Sequence, residues 1–338
     1  MVESRIAVVG AGTWGTVIAS IAARSLPTTL WARRAQVVQD IQSRHENSAY
    51  LEGFALPDSL KATTDLSAAA AGAELLVMAV PSHGFRSVLA ELAGSVPRGT
   101  PVLSLTKGIE SASHLRMTQI VAELLPDSAT GVLSGPNLAR EIASGQPAAT
   151  VVAMTDERVS AYIQDLLWTE TFRLYTNPDV IGCEIAGAAK NVIAIAAGIS
   201  DGLGFGDSSR AALVTRGLAE IGRLGVALGG DYVTFGGLAG VGDLVVTCTS
   251  PLSRNRWMGE QLGRGRSLGE ILGTMHMVAE GVKTARPLLS LAGAHGLEMP
   301  IVEQVAAVLD GERTPLETIS SLMGRSPKAE FLAAEAPT

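Results

Sequence analysis

The chain has 338 residues, of which 47% are hydrophobic and 17% charged, and its formal net charge is −7. This composition predicts a globular protein with room for two domains and excludes a disordered chain. The acidic balance, without a basic block, argues against a nucleic-acid partner, and two cysteines are too few for a disulfide framework, which favours a reducing cytoplasm.

The first predicted element is a buried strand that ends in a glycine-rich turn. Residues 6–9 are β-branched or small, and Gly10, Gly12 and Gly15 then complete G-x-G-x-x-G before a helical segment at 17–23. In such a unit the first glycine permits a tight turn, the second admits a pyrophosphate, and the third lets helix and strand pack. We therefore expect a dinucleotide at the positive end of this helix.

The second strand, at residues 28–31, is followed by Arg33 and Arg34. An NAD-binding unit usually places an acidic residue near this position, where it accepts hydrogen bonds from the ribose hydroxyls. The arginines are either a solvated pair at a helix start or a contact for a 2′-phosphate. After the glycine motif we favour the phosphate contact, which predicts that NADPH is preferred and that NADH is possible.

Residues 44–60 are interpreted as a polar, irregular loop and a candidate lid. Further apolar runs predict strands at residues 75–80, 102–105, 130–134, 149–153 and 172–175. Their alternation with helical segments predicts a doubly wound, mostly parallel sheet, with ligands at the carboxyl ends of the strands. Lys107 and Asn137 follow two of these strands. Helical periodicity takes over after residue 178, so we predict a Rossmann domain at 1–178 and an all-helical domain at 179–338.

The first helix of the second half, around residues 182–199, is apolar but carries a lysine. At helical spacing, Lys190 and Asn191 share a face with Gly187 and Gly198. Lys190 either reaches water from the edge of the helix or lies in a groove that a ligand enters. Burial in such a groove would lower the pKa of its ammonium group and suit a general acid or base. The charge also interrupts the longest apolar stretch, so no membrane span is expected.

A second polar cluster begins with the glycines before Asp243, at 240–242, continues through 247–250, and ends with Ser253, Arg254, Asn255 and Arg256. Arginine matches phosphate oxygens in a bidentate geometry, so the cluster is either a phosphate site or a solvated loop. The glycine-rich residues 199–209 are either a mobile loop over the site or a plain connection. The five histidines show no ligand spacing, so no metal site is predicted.

With these motifs in order, the chain resembles the bacterial-type NAD(P)-dependent glycerol-3-phosphate dehydrogenases. The resemblance covers nearly the whole length. It rests on GAGTWGT at 10–16, SLTKGIE at 104–110, LSGPNLAREIASGQPAA at 133–149, AAKNVIAIAAGISDGLGFGDSSRAAL at 188–213, GLAGVGDLVVTCTSPLSRNR at 237–256 and VAEGVKT at 278–284.

The resemblance implies a cytoplasmic homodimer that reversibly reduces dihydroxyacetone phosphate to sn-glycerol 3-phosphate, the backbone of glycerophospholipids. It implies catalytic roles for Lys190, Lys107 and Asp243. With the glycine motif, it implies nucleotide contacts for Gly10, Gly12, Thr13, Trp14, Gly15, Arg33, Arg34, Lys107, Ala139, Arg254, Val278 and Glu280. The implied substrate contacts are Lys107, Gly135, Asn137, Lys190, Asn191, Asp243, Ser253, Arg254 and Asn255.

Two positions depart from the family pattern: Asn137 stands where relatives often carry Ser or Thr, and Glu52 replaces a common proline.

Two other functions are compatible with the same domain plan. A reductase for another acid, such as ketopantoate, would not need the cluster at residues 253–255. A catalytically silent dinucleotide sensor would not need Lys107 and Lys190.

Overall fold

The N-terminal half is built around a single sheet of eight strands. The structure, a computed structural model, describes residues 5–275, 279–326 and 329. The strands are β1 Ile6–Val9, β2 Thr28–Trp31, β3 Leu60–Thr63, β4 Leu75–Met78, β5 Val102–Ser104, β6 Thr130–Ser134, β7 Ala148–Met154 and β8 Phe172–Asn177. Their order is β3-β2-β1-β4-β5-β6-β7-β8. The first six strands are parallel to one another, β7 runs antiparallel to β6, and β8 runs parallel to β7.

Helices connect the strands and then form the whole C-terminal half. Those among the strands are α1 Thr13–Ala22, α2 Ala35–Arg44, α3 Ser48–Leu51, α4 Leu66–Ala70, α5 Ser82–Leu92, α6 Met117–Leu124, α7 Ala139–Ala143 and α8 Glu157–Leu167. Those that follow are α9 Val180–Gly202, α10 Asp207–Ala227, α11 Tyr232–Phe235, α12 Asp243–Thr249, α13 Arg254–Gly263, α14 Leu268–Thr274, α15 Glu280–Ala294, α16 Pro300–Leu309 and α17 Pro315–Met323. The predicted Rossmann-like sheet followed by a helical domain is confirmed.

The interpretation of residues 44–60 as an irregular loop is confirmed for 52–59, which form neither helix nor strand, but is wrong for the parts with regular structure. The segment contains α3, and β3 begins at Leu60 as the edge strand of the sheet. The strand β3 has only four residues, so its alternation of buried and exposed side chains is too short to be recognised in the sequence. The segment is also fastened to the glycine-rich turn, because the buried Asn47 amide donates to the carbonyl of Ala11 at 3.0 Å and to Oγ1 of Thr16 at 2.8 Å.

The central element of the second half is α9, which is buried on nearly every face. An apolar composition all round the helix is typical of such a core position, and α10, α12, α13, α15 and α16 pack on it. A Cβ at Gly198 would lie 1.9 Å from the carbonyl oxygen of Arg256 on α13. The face proposed as a groove is therefore filled by α13 at this end. Of the glycine-rich residues 199–209, the first four belong to α9, and 203–206 form a short connection to α10, which begins at Asp207.

Among the described residues, two helical segments are long and apolar enough to cross a membrane by length and composition alone. Of the apolar window in Val180–Gly202, 94% is buried inside the protein, as in the core helix of a soluble protein. The corresponding value for Tyr232–Thr249 is 44%. Such segments are weak evidence for a membrane span, because core helices meet the same criteria.

Candidate active site

The glycine-rich turn between β1 and α1 forms an open cradle at the carboxyl edge of the sheet. Gly10 has a φ of +120°, and a Cβ there would lie 2.6 Å from the carbonyl oxygen of Ala79. A Cβ at Gly15 would lie 2.0 Å from the carbonyl oxygen of Gly10, so both positions require glycine, whereas Gly12 faces open space. The residue before α1 is Gly12, which has no side chain to cap the helix. The first turn of α1 carries no acidic residue. This helix end fits a pyrophosphate.

The other predicted nucleotide residues, as far as the structure describes them, lie on several different elements. Thr13 donates a hydrogen bond to the Tyr50 carbonyl at 3.0 Å, and Trp14 packs edge-on against Phe172. Arg33 and Arg34 are exposed between β2 and α2. The Arg34 guanidinium lies 4.9 Å from the centroid of the Tyr50 ring. Ala139 begins α7, and Val278 lies outside the described residues.

A buried carboxylate holds two lysines together beside the sheet edge. Asp243, the first residue of α12, is 1% exposed. One of its carboxylate oxygens accepts a hydrogen bond from Lys190 on α9, and the other accepts from Lys107, after β5, at 2.5 Å. Lys107 also donates to the Gly135 carbonyl at 3.0 Å. Because two cations share one anion, the cluster keeps an excess of positive charge that suits an oxygen acquiring negative charge.

Lys190 does not reach solvent; it is buried and hydrogen-bonded. Its ammonium donates to Asp243 and, at 2.7 Å, to Oγ1 of Thr247. An ammonium has three donors, so one is left without a partner among the described residues and is available to a ligand. Burial lowers the pKa of Lys190 to about 8, although the Asp243 carboxylate acts in the opposite direction. A group with this pKa can donate or accept a proton near neutral pH.

The cluster at residues 253–255 forms the start of α13. The Ser253 hydroxyl accepts a hydrogen bond from the Arg256 backbone N–H at 3.2 Å and so caps the helix. Arg254 is exposed there. The Asn255 amide donates to Oδ1 of Asn191 at 3.0 Å, and Asn191 donates to the Lys107 carbonyl at 3.2 Å. The two asparagines therefore hold the Lys107 segment and the start of α13 together.

Asn137 lies on the same side of the sheet but bonds away from the lysines. Its amide group donates to Oγ1 of Thr150 at 3.0 Å. Its side-chain oxygen is buried, and no hydrogen-bond partner for it is found among the described residues. Gly135, two residues earlier, enters the site through its carbonyl, which accepts from Lys107.

Two side chains at this site, Thr247 and Ser82, lie in segments that the sequence placed near ligands but were given no role of their own. Thr247 lies four residues after Asp243 on α12, so helical spacing was an available signal for its place beside Lys190. Ser82 binds Glu280 at 2.5 Å across 198 positions of sequence. No local pattern could have indicated that contact.

An open glycine-rich cradle at the carboxyl edge of a Rossmann-like sheet, together with a buried lysine–carboxylate cluster, defines the class: a two-domain, nicotinamide-dependent oxidoreductase. Comparison with known proteins gives the particular family. The family model for the N-terminus of NAD-dependent glycerol-3-phosphate dehydrogenase matches residues 5–160, and the model for its C-terminus matches residues 179–320. The chain belongs to this family.

Its relatives cover nearly the whole chain. A glycerol-3-phosphate dehydrogenase [NAD(P)+] from Sphingopyxis alaskensis is 52% identical over 95% of this chain and 97% of its own. One from Thermobifida fusca is 51% identical over 97% and 98%, respectively. The crystal structure of the glycerol-3-phosphate dehydrogenase of Coxiella burnetii has a TM-score of 0.91, with 38% identity over 95% of this chain and 98% of that chain.

Proposed function

We propose that this chain reversibly reduces dihydroxyacetone phosphate to sn-glycerol 3-phosphate with NAD(P)H and so supplies the glycerophospholipid backbone. The observation that carries the proposal is the Lys107–Asp243–Lys190 cluster, which two asparagines connect to the helix start that carries the exposed Arg254. A ketone phosphate needs both features: positive charge and a proton at one end, and an anion site at the other.

The roles within the cluster follow from its hydrogen bonds. The nucleotide, when bound, supplies the hydride. Lys190 donates the proton to the carbonyl oxygen through its third N–H, which no other described residue binds. Lys107 stabilises the developing negative charge, and Asp243 orients both ammonium groups. In the reverse direction, neutral Lys190 accepts the proton of the substrate hydroxyl.

The phosphate is proposed to bind at the start of α13. The Arg254 guanidinium and the N-terminal end of this helix both attract an anion. Asn255 uses one amide hydrogen for Asn191 and retains a second for the phosphate. Asn191 donates to the Lys107 carbonyl and accepts from Asn255, so its proposed role toward the substrate is indirect: it fixes the Lys107 backbone. Fixing the phosphate relative to Lys190 orients the carbonyl for transfer.

The preference for NADPH is proposed from the end of β2. The position that an acidic residue takes in NAD-binding units is here occupied by two exposed arginines, Arg33 and Arg34. Guanidinium groups bind a 2′-phosphate and stack on adenine. We further propose a boundary between domains at residue 178, a homodimer and a cytoplasmic location; light scattering after gel filtration tests the dimer.

One assay tests the function. NADPH oxidation is followed at 340 nm after addition of dihydroxyacetone phosphate, with ketopantoate and unphosphorylated dihydroxyacetone as controls. We expect turnover with the phosphorylated ketone alone. Faster turnover of ketopantoate would identify a reductase of keto acids. Nucleotide binding without any turnover would identify a catalytically silent sensor.

A further inference from the structure

The nucleotide-binding and helical halves are joined by a contact between Ser82 and Glu280. The Ser82 hydroxyl donates to the carboxylate of Glu280, with Oγ and Oε2 2.5 Å apart. The Ser82 backbone N–H donates to the other carboxylate oxygen at 3.3 Å. Ser82 is 2% exposed and begins α5, shortly after β4. We call this contact the Ser82–Glu280 latch.

The latch gives α5 a cap that its neighbouring residues lack. Pro81 precedes the helix and makes no capping hydrogen bond through its side chain, and the first turn of α5 carries no acidic residue. A carboxylate at a helix N-terminus is stabilised by the unpaired N–H groups and by the helix dipole. The helical domain thus supplies, through Glu280, a group that a helix normally takes from its own sequence.

The backbone beside the latch leaves just enough room for it. A Cβ at Gly108 would lie 2.7 Å from the Cβ of Ser82 and 3.1 Å from Oε2 of Glu280. Gly108 follows Lys107, whose carbonyl is held by Asn191. The latch is therefore packed directly against the segment that carries one of the two lysines of the site.

The other side of the latch meets the proposed phosphate site. The Gly281 backbone N–H donates to Oδ1 of Asn255 at 3.1 Å, and the Glu280 carboxylate interacts electrostatically with Arg254. The start of α15 is held by Ser82 on one side and by Asn255 on the other. The turn after β4 also borders the gap between β1 and β4, where the strand order reverses and a dinucleotide binds.

We propose that Ser82 is a positioning residue, which acts through Glu280 to hold the helical domain closed over the nicotinamide half of the nucleotide site. This inference rests on the proposed function. Without the Ser82 hydroxyl, the Glu280 carboxylate keeps only the longer bond from a backbone N–H. It is then free to pair with Arg254, which would disturb the nucleotide and phosphate sites together.

The substitution Ser82→Ala tests the latch. The matched control is Ser87→Ala, an exposed serine of the same helix whose hydroxyl donates to the Gly84 carbonyl. Because a hydrogen bond to a charged group is lost, we expect the Kd for NADPH, from fluorescence titration, to rise on the order of 10-fold. Ser87→Ala should leave it unchanged. Ser82→Cys keeps the side-chain volume with a weaker donor, should show a smaller rise, and carries the test if the alanine variant does not fold.

A double-mutant cycle with Glu280→Gln separates positioning from simple helix capping. If Ser82 acts through Glu280, the two effects on NADPH Kd are less than additive. A Ser82→Ala protein with a lower Tm but the wild-type Kd and KM for NADPH would overturn the proposal, and so would additive effects in the cycle. Failure of the proposed function is distinguishable, because it would appear in the wild-type protein itself as an absence of dihydroxyacetone phosphate reduction, whereas failure of the latch appears only as an unchanged Kd for NADPH in the Ser82→Ala variant.

Discussion

The two ends of the proposed site are built on opposite principles. At the lysine cluster, Asp243 and Lys190 are buried and each charge is met by a partner from a distant segment. At the nucleotide end, Arg33 and Arg34 are exposed. They lie about 20 residues after the glycine motif, within the same βαβ unit, so this end is built from one local stretch of sequence. Removing a buried, paired charge costs far more than removing an exposed one. Substitutions should therefore have large effects at the first end and modest, salt-dependent effects at the second.

The largest effect is expected for Lys190→Met. The change removes the proposed proton donor and leaves Lys107 as the one lysine of the cluster bonded to Asp243. Loss of a general acid lowers turnover by about 10²- to 10⁴-fold, while NADPH affinity should stay within a few-fold because Lys190 belongs to α9 and not to the glycine-rich turn. Steady-state turnover and fluorescence titration measure the two quantities.

The control for this variant is Lys61→Met, on the exposed face of edge strand β3. It should retain wild-type turnover. If Lys190→Met kept a tenth of wild-type turnover, Lys190 would not be the acid.

Arg254→Ala should have the next largest effect. The guanidinium is proposed to bind the phosphate and orient the ketone, so we expect KM for dihydroxyacetone phosphate to rise and kcat to fall. The combined loss should be on the order of 2–4 kcal/mol. Arg264→Ala, at the opposite end of α13 and paired with Glu260 at the surface, is the control and should change neither constant. An unchanged preference for the phosphorylated ketone in Arg254→Ala would place the phosphate elsewhere.

The same contrast explains what the sequence could predict. Gly10, Gly12 and Gly15 act through local geometry, so their roles are legible from spacing alone. The burial of Lys190 could not be settled from its apolar helix, because a lysine at the edge of such a helix can also reach water. Its partner Asp243 lies 53 residues away, and helical periodicity carries no information about which segments meet. The contacts of Asn255 with Asn191 and of Ser82 with Glu280 are unpredictable for the same reason.

A smaller effect is expected at the nucleotide end, from the double substitution Arg33→Asp, Arg34→Ser. The wild-type enzyme should prefer NADPH to NADH by at least about 10-fold in kcat/KM, since an arginine–phosphate contact is worth 10- to 150-fold in affinity. The preference should weaken as salt is raised, because exposed charges are screened. The double variant should raise the NADH-to-NADPH ratio of kcat/KM. Equal use of both nucleotides by the wild type, or an unchanged ratio, would refute this assignment.

The smallest effect, a shift of a pH profile, tests the electrostatics of the lysine cluster. Burial lowers the pKa of Lys190 to about 8. The acid must be protonated to reduce the ketone, so kcat/KM for reduction should fall as pH rises through about 8. Oxidation of glycerol 3-phosphate needs the neutral amine and should rise over the same interval. The Asp243 carboxylate raises this pKa, so in Asp243→Asn the descending limb should move to lower pH, whatever activity remains. Titration of the substrate phosphate lies near pH 6 and is common to both proteins. A wild-type limb above pH 10, as for an exposed lysine, or an Asp243→Asn limb moved to higher pH, would contradict the proposed cluster.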